Sequence, residues 1–256
     1  MNIWLTSAGV IFIYISSIYL VSRILKRNDI MDVFWGPGFL LVASVLMLQT
    51  DYRPNYKWII LALIAAWAIR LSLHILIKSK GKPEDFRYQK WRTEWGKTEW
   101  WRSYLQIYLL QGLFMFVIAL PIISVLKIVY LPGSFPLDSV LLFPTSITIL
   151  GLIIESVADA QKSKFKKSNP SGLMKEGLWE YSRHPNYFGE AVFWWGIAGF
   201  TVLSYPILGL ISALTISILL RYVSGVPMLE KAKEGNKAYD QYKKETPVFI
   251  PFMGTK

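Results

Sequence analysis

Apolar residues in this chain come in long runs broken by short polar stretches, not in strict alternation. A helix crossing the hydrocarbon of a bilayer needs about 20 mostly apolar residues. Runs of that kind lie near 3–23, 33–50, 58–77, 104–126, 138–158, 187–204 and 206–223. Only Tyr205 and Pro206 part the last two, which predicts a tight turn or a re-entrant break. The pattern predicts an all-α integral membrane protein, a bundle of about seven transmembrane helices with six as the alternative count, forming a single membrane domain over 1–256.

The loops orient that bundle. With seven spans, one side receives Arg23, Lys26, Arg27, the loop 78–103, the loop 159–186 and the tail from Arg221. The other receives only Arg53, Lys57 and Lys127. Basic residues collect on the cytoplasmic side, so the N-terminus is expected outside and the C-terminus in the cytoplasm. Tyr239 and Tyr242, three residues apart in the tail, predict a helix lying on the cytoplasmic face, with Phe249-Ile250-Pro251-Phe252 packing back. The tryptophans of loop 78–103 read as interfacial anchors.

Composition narrows the chemistry. Hydrophobic residues make up 53% of the chain and its mean hydropathy is +0.35, too apolar for an ordinary soluble domain. There is no cysteine, which removes thiolate catalysis and disulfides, and two histidines make a multi-histidine metal site an unlikely design, so no metal is expected. The net charge of +11 is explained by topology, with membrane lipids rather than nucleic acid as partners. The N-terminus has no basic stretch before its first apolar run, so no cleaved signal peptide is expected.

Polar residues inside the spans carry more information, because each is costly there. Arg70 and His74 are one turn apart on the third span, and Glu155 and Asp159 one turn apart on the fifth. Asn186, Glu190 and Trp194 form a stripe at the start of the sixth, Asp32 precedes the second, and Arg221 closes the seventh. All fall in the cytoplasmic half. They predict one polar cavity open to the cytoplasm and lined by spans two, three, five, six and seven. Two blander readings stay open: Arg221 and His74 as side chains snorkelling to the headgroups, and Glu155 and Glu190 as ion pairs that lock helices together.

The densest polar stretch runs Gly177-Leu178-Trp179-x-Tyr181-Ser182-Arg183-His184-Pro185-Asn186-Tyr187-x-Gly189-Glu190. It resembles the C-terminal domain of the steroid 5α-reductase superfamily, most nearly a mainly bacterial branch that is largely uncharacterised. Further matching pieces are Asp32-Val33-Phe34-Trp35-Gly36, Glu84-Asp85-x-Arg87-Tyr88 with Arg92, Glu155-x-x-x-Asp159-x-Gln161-Lys162-x-x-Phe165, Ser224-Gly225-Val226-Pro227-x-Leu229-Glu230, Tyr239-x-x-Tyr242 and Phe249-Ile250-Pro251. They keep their order over nearly the whole chain.

The resemblance implies a seven-helix reductase of a bacterial inner membrane that binds NADPH from the cytoplasm. Hydride would pass to an activated carbon–carbon double bond of a lipophilic, lipid- or steroid-like substrate. It assigns residues 103–256 to the cofactor-binding half. Asp159, Asn186, Glu190 and Trp194 match cofactor-holding positions, and Glu155 stands where the steroid reductases carry an asparagine. Arg70 and Arg221 match basic cofactor contacts. Tyr181, Ser182, Arg183, His184 and Tyr187 belong to the loop over the nucleotide and the helix start after it, with His184 read as positioning that loop. Arg183 with Lys162, Lys164, Lys166 and Lys167 would meet the phosphates.

The substrate end departs from the family. The glutamate and tyrosine that hold the substrate carbonyl in steroid reductases are here Trp35 and Trp67, which assigns both to a substrate pocket without acid or phenol. Asp32, one turn before Trp35, is the substitute proton donor on this reading, provided burial raises its pKa. Arg-His-Pro-x-Tyr also resembles isoprenylcysteine carboxyl methyltransferases and phospholipid N-methyltransferases. That resemblance implies S-adenosylmethionine as the alternative cofactor.

Overall fold

A computed structural model describes residues 2–50, 55–127 and 137–253; Arg53 and position 133, one of the external loop sites of the expected topology, lie outside them. The described residues are helical with no strand. The chain divides into two compact units, Met1–Ser134 and Phe135–Lys256, each taken here by itself.

The first unit opens with α1 (Ile3–Leu25), α2 (Ile30–Leu48) and α3 (Asn55–Ser79). Each is long and apolar enough to cross a membrane. Pro37 sits inside α2 and has no N–H for the carbonyl of Val33. Ser72 of α3 donates to that carbonyl at 2.7 Å, and Tyr14 of α1 donates to Phe34 O at 2.7 Å. The freed Val33 carbonyl thereby fastens α2 to α3, and the Phe34 carbonyl fastens it to α1. Buried Lys57 donates to Leu126 O at 2.9 Å, satisfying a carbonyl that ends a helix.

The expected single span 104–126 is broken. After α4 (Phe86–Trp95) and α5 (Glu99–Ser103), a π-helical turn over Tyr104–Leu109 leads into α6 (Leu110–Ile118). α7 (Leu120–Lys127) follows at a bend of 45°. Pro121 in the first turn of α7 accounts for the break, since it cannot extend the hydrogen-bond ladder of α6.

The acidic residues of loop 78–103 are paired. Glu84 accepts from Asn28 N at 2.6 Å and from Arg92 at 3.0 Å; Arg92 also reaches Glu99 at 3.2 Å. Glu99 is buried and bonds Arg23 and Asn28. Asp85 caps α4 by accepting from Arg87 N at 3.0 Å. These residues pin α4 and α5 to the turn between α1 and α2.

In the second unit α8 (Leu137–Ser168) runs 32 residues, ten beyond the expected span end at 158. Gln161 and the lysines that follow are good helix formers, so the helix outlives its apolar stretch. After α9 (Leu178–Tyr181) comes α10 (Pro185–Gly199), opened by Pro185 at its first position. At 15 residues it is about 22 Å long, short of the roughly 30 Å hydrocarbon core that the expected span 187–204 would cross. The chain turns over Phe200–Ser204 and re-enters α11 (Pro206–Ile218), then a π-helical turn to Val223, α12 (Val226–Lys231) and α13 (Lys237–Glu245). Among the described residues five helices have the length and apolarity of a span, six with the bent pair ending at Lys127. The protein is therefore a multi-pass integral membrane protein, with the short α10 standing where the sixth span was expected.

α8 and α10 touch backbone to backbone. A Cβ on Gly189 would lie 2.5 Å from Glu155 N and 2.9 Å from Gly151 O; one on Gly151 would strike the backbone of Phe193, and one on Gly196 that of Thr148. Glycine is needed at these crossings because any side chain would push the helices apart.

Candidate functional site

That close approach sets the polar residues of α8 against those of α10. Asn186 Nδ2 donates to Asp159 Oδ1 at 3.2 Å. Glu155, Asp159 and Glu190 are buried, and Trp194 is fully buried against Phe193. Glu155, Asp159, Lys162 and Lys166 follow one another at helical spacing along one face of α8. The face changes from carboxylates to ammonium groups over 11 residues, about 16 Å.

The basic end opens into a cavity of about 220 Å³. Four cations line it: Lys162 and Lys166 from α8, Arg183 before α10, and Lys233 from the tail. Trp179, Tyr239 and Tyr242 supply aromatic walls. Lys162 Nζ lies 4.3 Å from the Trp179 ring centre and Lys233 Nζ 4.2 Å from that of Tyr239. Lys164 and Lys167 point elsewhere on the helix and do not line the cavity, which corrects the expectation that all four lysines of 162–167 act together. Lys233, unforeseen, takes their place. Burial pushes its pKa below the usual ammonium range, with Lys166 and Arg183 pushing the same way and Glu230 opposing.

The loop over the cavity is braced by the tail, as its aromatic pattern predicts. Ser182 Oγ donates to Phe249 O at 2.7 Å and Arg183 N to Pro247 O at 2.8 Å. The Tyr242 hydroxyl donates to Trp179 O. Gly177 takes φ 62°, a region that favours glycine, and the next N–H, that of Leu178, donates to Gln161 Oε1 at 3.0 Å. Tyr181 is exposed and packs on Phe252, ring centres 5.0 Å apart. His184 stacks flat on Tyr187 at 5.8 Å. Its Nε2 faces Glu230 Oε1 at 3.4 Å. Burial holds the imidazole below its ordinary pKa, partly offset by Glu230. Arg183 reaches the same Glu230 oxygen at 3.2 Å. Its Nε is buried with no hydrogen-bond partner among the described residues.

Arg221, half-buried in the π-helical turn that follows α11, stacks on Tyr222 at 4.6 Å. In the first unit Arg70 and His74 are half-buried one turn apart on α3. Trp35 and Trp67 stand at the two ends of an edge-to-face stack through Phe39, at 5.3 and 5.7 Å, with Trp67 fully buried. Asp32 accepts from Arg87 Nη2 at 2.7 Å and from the Tyr88 hydroxyl at 2.6 Å. Both oxygens thus accept, so a proton-donor role would require breaking an ion pair.

Sequence reasoning assigned no part to Glu230, Lys233, Asn236 or Trp179. Glu230 stands within one of the stretches that carry the resemblance, but its partners Arg183 and His184 lie 47 and 46 residues away and no local pattern exposes them.

A family model described as a protein of unknown function (DUF1295) matches residues 18–246. The 3-oxo-5-alpha-steroid 4-dehydrogenase 1 of Rattus norvegicus is 30% identical over 115 residues, 42% of this chain and 40% of that protein. The protein-S-isoprenylcysteine O-methyltransferases of Mus musculus and Rattus norvegicus are each 31% identical over 88 residues, 34% of this chain and 30% of theirs. The chain thus spans less than half the length of the curated relatives it matches. No solved structure matches it.

Proposed function

The chain belongs to the DUF1295 family, within the steroid 5α-reductase superfamily, and from that premise we propose that it is a membrane-embedded NADPH-dependent reductase. The observation that carries this reading is the face of α8 that turns from carboxylates to cations and ends in the four-cation cavity. A dinucleotide has the matching order: an amide and ribose hydroxyls at one end, phosphates toward the other. Asp159, Asn186 and Glu190 supply acceptors, and one amide donor, for the first part. Lys162, Lys166, Arg183 and Lys233 suit the second, and the orphaned Arg183 Nε is a donor waiting for an anion. When bound, NADPH supplies the hydride; the chain's own part is to bind, orient and keep water out. We propose as substrate a lipophilic molecule with an activated carbon–carbon double bond, reached from the membrane, and a bacterial inner membrane as the location.

The likeness to the methyltransferases favours a second reading, with S-adenosylmethionine as cofactor. That molecule carries no phosphate and a single carboxylate beside two positive groups, so it matches the four cations less well than the phosphates of a dinucleotide do. The two readings part in a melting experiment on the detergent-solubilised chain. A ligand at 100 times its Kd stabilises by about 2.7 kcal/mol. NADPH is expected to raise Tm more than NADH does, and S-adenosylmethionine to leave it unmoved. A rise with S-adenosylmethionine and none with NADPH would replace the reductase by the methyltransferase.

A further inference from the structure

One carboxylate behind the cavity gathers three segments of the second unit. Glu230 Oε1, on α12, lies 3.2 Å from Arg183 Nη2, 3.4 Å from His184 Nε2 and 3.2 Å from the Tyr239 hydroxyl. Its Oε2 lies 3.8 Å from Lys243 Nζ. Arg183 and Tyr239 line the cavity, whereas Glu230 does not. An arginine in a cavity wall has several rotatable bonds to freeze before it can offer two aligned donors to an anion. Fixing one end of the fork on a carboxylate removes that cost in advance.

We propose that Glu230 is the positioning residue of the anion site. It aims Arg183, sets the His184 ring at the start of α10, and fastens Tyr239, and with it α13, as a wall of the cavity. It touches no ligand atom. The opposite role is a stand-in anion that occupies the guanidinium until a phosphate displaces it. The geometry argues against a stand-in on two counts. Arg183 keeps a buried Nε open while bonded to Glu230, so the carboxylate need not leave. Three of the four groups on Glu230 are not guanidinium at all and need a carboxylate whether or not a phosphate is present.

The idea rests on the reductase reading only in naming the anion as the cofactor's phosphate. The test therefore uses three probes on the purified full chain: NADPH, NADH and inorganic pyrophosphate, by calorimetry. Glu230→Gln keeps the size of the side chain and removes its charge. It is expected to cut the preference for NADPH over NADH by about tenfold while NADH affinity stays within roughly twofold, since the site would take the 2′-phosphate that NADH lacks and only there is a hydrogen bond to a charged group lost. Glu230→Asp, one methylene shorter, restores part of that preference. An unchanged preference, or tighter NADPH binding in Glu230→Gln as a stand-in anion would give, overturns the proposal.

If the wild type binds pyrophosphate but neither dinucleotide, the reductase reading falls. The role of Glu230 then stands on a loss of pyrophosphate affinity of about tenfold in the variant. If the wild type binds none of the three, there is no anion site and the role falls too. Should Glu230→Gln not fold, Tyr239→Phe removes one hydroxyl from the same hub. It should lower the NADPH preference roughly threefold, and no change there overturns the proposal equally.

Discussion

Adding one methyl group at Gly189 tests whether the contact of α8 with α10 builds the site. A Cβ there would lie 2.5 Å from Glu155 N, 2.9 Å from Glu155 Cα and 2.9 Å from Gly151 O. All three are backbone atoms, so no side chain can swing away. Ordinary contact begins near 3.4 Å, so the helices must part by roughly an ångström. Overpacking of this kind costs typically 1–3 kcal/mol. Alanine recovers up to about 1 kcal/mol over glycine in a helix interior. The net for Gly189→Ala is a loss of about 1 kcal/mol, or a fall in Tm of roughly 2–4 °C.

The same shift reaches the site. Asn186 and Asp159 are 3.2 Å apart, and another ångström takes them out of hydrogen-bond range. NADPH affinity is expected to fall by about tenfold or more. Gly9→Ala in α1 is the control, because nothing lies within 4 Å of a Cβ placed there. It should be neutral or stabilising by up to about 1 kcal/mol, with binding unchanged. Thermal melts in detergent and equilibrium titration with NADPH read both quantities. If Gly189→Ala behaves like Gly9→Ala, stability following helix propensity alone and affinity intact, then the close approach does not hold the site together.

The remaining expectations are simpler. The folded His184 has a pKa below its ordinary 6.5, so between the two values the unfolded chain binds more protons. Stability is therefore expected to fall as pH drops from about 6.5 toward the lowered value and to level off beneath it. Melts of wild type and His184→Gln should diverge in that window, and parallel curves would deny the shift. Arg87→Leu strips Asp32 of its ion-pair partner and should destabilise by about 2 kcal/mol, with Arg87→Leu/Asp32→Leu recovering part of the loss. A double variant as unstable as the sum would show the two residues uncoupled. Since the chain has no cysteine, single cysteines at positions 95 and 170 can be labelled cleanly. Impermeant maleimide should reach them only from the cytoplasmic side, and positions 53 and 133 only from outside. The reverse would invert the topology.

What could be foreseen divides along a physical line. Apolar length fixes where a chain enters a bilayer, and α1, α2 and α3 fall within a few residues of the runs that predict them. Hydropathy is blind to whether a helix continues once it leaves the lipid. The lysines after Asp159 therefore read as a loop, although they continue α8 and select Lys162 and Lys166, one turn apart, for the cavity. Hydropathy is equally blind to length within an apolar stretch. The run 187–204 contains a helix of only 15 residues, ended at the turn over Phe200–Ser204. Helical spacing did bring Asp159 to Asn186, because both stripes were local and only their facing had to be supplied. The Glu230 hub joins Tyr239, nine residues on, to Arg183 and His184, 47 and 46 residues back, and that long-range half could be known only in three dimensions.

The charge pattern of the second unit explains why the shared motif alone decides so little. Arg183, His184 and Asn186 belong to the stretch whose sequence resembles both the steroid 5α-reductase superfamily and the isoprenylcysteine methyltransferases. In this chain the same stretch acquires its character from neighbours outside it. Asp159 takes up Asn186, Glu230 takes up Arg183 and His184, and Lys233 adds a fourth cation. A motif that only begins a helix and presents a guanidinium can serve any cofactor with an acceptor nearby. On the reductase reading, four cations with one carboxylate behind them favour a phosphate-bearing cofactor over one of net positive charge. The choice of cofactor therefore rests on α8 beyond the membrane and on the tail, the parts of the chain that the shared motif does not contain.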